Sequence, residues 1–154
     1  MSTVTNILIV SLLLGGNAVL AATAEDISVD AGYVRGLPPG QSNTAAYMTI
    51  RNHSSETLVL TGARTDIASG AAVHNTEQHD GMMSMKPVPL VPVPARGEVV
   101  LDSGGLHLML TGLKAPLDDA QQVRLTLLFQ DGLEKTITLP VRSVLMEHHE
   151  HSGH

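Results

Sequence analysis

Close to its C-terminal end the chain alternates apolar and polar side chains through two successive segments, a pattern that admits little besides an antiparallel sheet. Val123, Leu125, Leu127 and Phe129 alternate with Arg124, Thr126, Leu128 and Gln130. Such a period of two puts the first set on one face of a strand. Leu133, Lys135, Ile137, Leu139 and Val141 share one face of the segment that follows. Asp131-Gly132 lies between the two, and both residue types tolerate the positive φ of a tight hairpin.

The same grammar extends upstream. Residues 26–34 alternate weakly, residues 45–52 and 56–65 read as strands, and 70–75 as a fourth candidate. Asn52-His53-Ser54-Ser55 is the turn between the second and third, and residues 36–40 form a Pro/Gly loop. No segment of the mature chain carries a 3.6-residue apolar stripe, and Asp118 to Gln121 suffices for one helical turn. Pro87, Pro89, Pro92 and Pro94 are spaced against central-strand pairing, which favours a connector or an edge segment. The fold class expected is all-β, a Greek-key sandwich or barrel of seven to nine strands.

Residues 7–14 are an apolar run followed by Gly15-Gly16 and Ala18-Val19-Leu20-Ala21, the layout of a secretory signal peptide. Its one departure is the lack of Lys or Arg before Ile7. The run is short against the roughly 20 residues a membrane span needs, and no Cys marks a lipid-anchored form. The organisation expected is a signal at 1–21, with cleavage extending at most to 24, a β domain at 25–143, and a tail at 144–154. Export and no stable membrane association after cleavage follow, with the domain a monomer.

Composition then narrows the chemistry. Cysteine is absent, which removes disulfides, thiolate nucleophiles, iron–sulfur clusters and Cys-based zinc sites. Aromatic residues make up 2% of the chain and the formal charge is −6. Base stacking and phosphate binding both lack their side chains, so no nucleic-acid partner is expected. No nucleophile motif or His-carboxylate zinc motif points to an enzyme.

Seven Met and eight His stand against that background. They concentrate in His74-Asn75-Thr76-Glu77-Gln78-His79-Asp80-Gly81-Met82-Met83-Ser84-Met85 and in Gly104-Gly105-Leu106-His107-Leu108-Met109-Leu110. On a strand His107 and Met109 project from one face with Cα atoms about 6.5–7 Å apart. Leu106, Leu108 and Leu110 anchor the other face. Thioether sulfur is soft and uncharged and selects Cu(I) over zinc, magnesium or calcium. Met48, by contrast, reads as core filler and His53 as turn surface. An electron-transfer copper centre would need a Cys thiolate.

The spacing is specific. Ten residues separate His74 from Met85, twenty-one separate Met85 from His107, and one separates His107 from Met109. This resembles the signature of the periplasmic PCu(A)C-type copper chaperones, His-x10-Met-x21-His-x-Met. The local words Gly81-Met82-Met83-Ser84-Met85, Gly104 to Leu110 and Ala46-Tyr47-Met48 are similar too, over roughly residues 31–141. The resemblance implies a cupredoxin-like β fold and one Cu(I) near the surface, held by His74, Met85, His107 and Met109. It also implies delivery toward the copper-centre subunit of cytochrome c oxidase, with another exported copper chaperone as a further partner.

Met82, Met83 and His79 are secondary candidates, since only Met85 of the cluster fits the spacing. The tail contains Met146, His148, His149, His151 and His154 beside Glu147 and Glu150. Imidazole with carboxylate suits Cu(II) or Zn(II), which makes these residues a second metal-binding set. Copper storage or resistance, and a metal-free β-sandwich interaction module, are the alternative readings.

Overall fold

A computed structural model describes residues 20–143. The signal reading and the tail candidates Met146, His148, His149, His151 and His154 fall outside the described residues, save for the signal's last two positions.

Ten strands are present among the described residues: β1 (Ile27–Gly36), β2 (Asn43–Asn52), β3 (Leu58–Arg64), β4 (Ala68–His79), β5 (Met82–Pro87), β6 (Val91–Val93), β7 (Glu98–Leu101), β8 (Leu106–Leu113), β9 (Gln122–Phe129) and β10 (Glu134–Ser143). They form one hydrogen-bonded path, β5-β4-β8-β2-β1-β10-β9-β3-β6, with β7 added to β2. Every pairing is antiparallel except β1 with β10, which run parallel with Val34 opposite Val141 and Gly36 opposite Ser143. At that seam the path turns over. Val34, Met48, Val73, Leu108 and Leu110 from one half then meet Leu60, Leu125, Leu127, Phe129 and Val141 from the other in one buried core.

The all-β expectation stands, and the expected count of seven to nine strands is corrected to ten. The additional elements β5, β6 and β7 are short or entirely exposed, so apolar alternation does not reveal them. β6 holds Pro92 and pairs with β3 alone, as a strand lacking one N–H must. The weak alternation of β1 has a local cause: the register against β2 slips between Asp30 and Tyr33, with Ala31 at φ 51°. A bulge of this kind puts the residues on either side out of phase.

The β9–β10 hairpin matches its pattern. Val123, Leu125, Leu127 and Phe129 are buried, and Asp131 and Gly132 have φ of 64° and 77°. The turn at residues 52–55 is held by buried Asn52. Its Nδ2 donates to the carbonyls of Glu56 at 2.7 Å and Val93 at 3.0 Å, and its Oδ1 accepts from Ser54 N and Oγ. Met48 is core, and His53 is exposed at the turn, where its ring contacts Ser28 Oγ at 2.8 Å.

Candidate metal centre

The four spaced residues lie on three neighbouring strands, β5, β4 and β8. β4 pairs with β8 so that His74 stands directly opposite His107 and Ala72 opposite Met109. β4 also pairs with β5, with Thr76 opposite Met85. Directly opposed residues project to the same side of an antiparallel sheet, and so do residues two apart along a strand. His74, Met85, His107 and Met109 therefore share one face. The other face of β4 and β8 carries Val73, Leu108 and Leu110, all buried in the core. Burying those leucines is worth about 1.5–3 kcal/mol each, and it aims the His and Met side chains outward.

The two imidazoles are near neighbours, with ring centroids 6.2 Å apart and planes inclined by 24°. Each turns Nδ1 toward a carbonyl two residues back along the chain: His107 to Gly105 O at 3.0 Å, His74 to Ala72 O at 3.3 Å. A carbonyl oxygen only accepts, so each contact makes Nδ1 the protonated nitrogen. Nε2 is then the lone-pair nitrogen available to a metal. Metal-binding histidines in general donate their second ring N–H to a carboxylate, a backbone carbonyl or water.

Exposure is graded across the four. His107 is 4% exposed, His74 and Met109 are half-buried, and Met85 is 58% exposed. An open cleft of about 400 Å³ is lined by Met85, His107 and Met109 together with Tyr47, Thr76 and Ser103. His74 is not among the residues lining it and stands beside its wall. Tyr47 is itself fixed by Tyr33, ring centroids 5.2 Å apart, and Arg142 caps the Tyr33 ring at 4.9 Å. Tyr47 belongs to the Ala46-Tyr47-Met48 word, but nothing in the sequence assigns it, Thr76 or Ser103 to a site; only the fold brings them to the cleft.

No group of three or more His, Asp or Glu that could hold a metal occurs among the described residues. The face offers instead two imidazoles and two thioethers with no anion, a donor set suited to a soft monovalent ion rather than a hard dication.

The secondary candidates separate cleanly. Met82 opposes His79, and Met83 opposes Gln78. Alternation therefore sends Met83 to the face of Met85 and sends Met82 and His79 to the reverse face. On that reverse face Glu77 accepts from Lys86 Nζ at 2.7 Å and lies 3.5 Å from His79 Nε2. Lys86 first, and His79 after it, hold the Glu77 carboxyl below its ordinary range. The hairpin that sorts these residues turns at Asp80-Gly81, with φ of 51° and 79°. Asp80-Gly81 is the same turn signal as Asp131-Gly132, but no apolar alternation flanks it to mark a hairpin in the sequence.

Residues 27–141 match the sequence model of the LpqE-like family, described as "Putative lipoprotein LpqE-like". The "Putative lipoprotein Lxx21020" of Leifsonia xyli subsp. xyli is 33% identical over 77% of this chain and 71% of its own length. Among solved structures, the Cu(I) form of DR1885 from Deinococcus radiodurans is 36% identical, covers 83% of each chain and superposes with a TM-score of 0.60. The copper-bound PCuAC domain from PmoF2 is 19% identical, covering 77% of this chain and 93% of its own, and shares the fold with a TM-score of 0.64. No helix among the described residues is long and apolar enough to cross a membrane.

Proposed function

This chain belongs to the LpqE-like family, and from that membership we propose that it is an exported copper carrier holding Cu(I) through His74, Met85, His107 and Met109. The observation that carries the reading is the register of β4 and β8. It sets His74 against His107 with both Nε2 atoms free, on the face where Met85 and Met109 also stand. The Cu(I) form of DR1885, at 36% identity, supports the choice of ion.

Copper is cargo in this reading, so the site must release as well as hold. Two thioethers and two imidazoles bind Cu(I) without a net anionic charge, and the half-open cleft lets an acceptor's ligands replace them one at a time. The acceptor is the copper-centre subunit of cytochrome c oxidase, with a second exported copper chaperone as an intermediate partner. The compartment is the periplasm, reached by the N-terminal signal. The His-rich tail, with Met146, His148, His149, His151 and His154, takes Cu(II).

The decisive measurement is an anaerobic competition titration of the full chain with a chromogenic Cu(I) chelator, joined to copper-edge X-ray absorption. Sulfur and nitrogen scatterers together, lost in His107→Ala and Met109→Ala, are the expected result. A copper-loaded chain with no sulfur scatterer sinks the proposal. Because imidazole coordinates only when neutral, Cu(I) retention also falls on acidification. Delivery is read by mixing the loaded chain with the soluble copper-centre domain of the oxidase; retention of all copper by the carrier would instead indicate storage.

A further inference from the structure

Three methionines within four residues of β5 remain exposed, Met82 at 74%, Met83 at 71% and Met85 at 58%. Core packing explains none of them, since every residue of β5 is exposed and no strand among the described residues lies beyond it in the sheet. A methionine that fills space in a core is buried. Met85 is accounted for by the cleft. Met82 and Met83 are not, and the ladder gives them opposite situations.

Met83 and Met85 are two apart on an in-register strand, opposite Gln78 and Thr76. Their Cα atoms are therefore about 6.5–7 Å apart on one face. Thr76 and Met85 line the cleft, whereas Gln78 and Met83 do not. Met83 thus sits one rung outside the cleft, between it and the turn at Asp80-Gly81. Met82 is on the reverse side with His79, Glu77 and Lys86.

We propose that Met83 is a transfer ligand for Cu(I): its thioether is the first donor to meet an arriving ion and the last to leave a departing one. The inference rests on the reading of the cleft as the Cu(I) site. Two flexible thioethers at this separation can pass one ion between them by side-chain rotation. Each step exchanges one copper–donor bond for another: a bond to Met83 sulfur forms as a bond to the external ligand breaks, and a bond to Met85 sulfur then replaces it. Copper stays monovalent throughout, and no proton moves. A transfer ligand of this kind changes the rate of exchange and leaves the occupied site's stability alone.

The test uses the full chain loaded anaerobically with Cu(I), with stopped-flow transfer to bicinchoninate and equilibrium competition against the same chelator. Met83→Leu slows transfer by about tenfold, with equilibrium affinity unchanged. Met82→Leu, an equally exposed methionine on the reverse face, leaves both quantities at the wild-type value. The proposal is overturned if Met83→Leu transfers at the wild-type rate, or if both variants slow alike. It is equally overturned if Met83→Leu loses as much affinity as Met85→Leu, which would make Met83 a resident ligand. His107→Ala in the same titration separates the two claims: undiminished affinity there removes the cleft site and Met83's role together. A loss there, with unchanged Met83→Leu kinetics, removes only Met83's role.

Discussion

Two hairpins in this protein turn on the same dipeptide and end in opposite circumstances. β9–β10 turns at Asp131-Gly132, and β4–β5 at Asp80-Gly81, each with positive φ at both residues. In the first, Val123, Leu125, Leu127, Leu139 and Val141 are buried. In the second, all six residues of β5 are exposed. The turn chemistry specifies that two strands pair; what the pair is for depends on what lies against its faces. One hairpin is covered and stabilises the domain, while the other borders solvent and is free to carry soft donors that a core would have no use for.

The largest expected effect lies in the exposed hairpin and its neighbour. Replacing His74 and His107 together by Ala lowers Cu(I) affinity by more than about 100-fold, above the 10–100-fold typical of losing an outer partner. His79→Ala, on the reverse face, leaves the affinity near wild type. Competition titration of the two variants reads the difference, and equal losses would break the division of β4 into two faces.

Stability should invert that ranking. Leu125→Ala in β9 removes a fully buried side chain and costs about 2–5 kcal/mol. Met85→Ala in β5 changes stability by about 0.5 kcal/mol or less. Denaturant midpoints compare them directly, and a large loss from Met85→Ala would show that β5 supports the fold after all.

The turns sharpen the comparison further. Gly81 and Gly132 have φ of 79° and 77°, and a Cβ at either would meet nothing within 4 Å. Conversion to Ala therefore costs about 1–2 kcal/mol of left-handed backbone strain in each. In Gly132→Ala the loss appears in global unfolding. In Gly81→Ala it appears as faster amide exchange confined to the tip of β4–β5, because that end opens without exposing core.

The smallest effect is electrostatic. Arg64 binds Glu134 of β10 through paired contacts of 2.6 and 2.7 Å and lowers its pKa, as Lys86 lowers that of Glu77. A carboxyl depressed in the folded state stabilises above its unfolded pKa and loses that contribution as pH falls through the folded one. Stability is therefore level from neutral pH down to the ordinary carboxylate range and dips slightly below it. Arg64→Met and Lys86→Met each flatten the dip, and both carboxylates are solvent-screened, so the change is slight.

Much of this was legible in the residues. The alternation of Val123 to Phe129 named the buried face of β9, and the prolines at 87–94 left a connector or an edge segment, of which residues 91–93 form the edge strand β6. The His107-x-Met109 spacing named a shared face. Each is a local property, set by the period of a strand or the missing N–H of proline. The Asp80-Gly81 hairpin is equally local but carries no legible pattern, because β5 is wholly exposed and has no apolar face to alternate.

What the sequence alone determined was the chemistry: a cysteine-free set of histidines and methionines, and strands whose pleat separates apolar from donor residues. Tertiary structure decided the partners. The pairing of β4 with β8 brings His74 against His107 across a long separation in the chain, and the pairing of β4 with β5 sends Met83 to the cleft side and Met82 and His79 away from it. The reason is that strand period fixes which residues share a face, whereas the choice of neighbouring strand is settled by burial of a common core. No single segment can specify that alone.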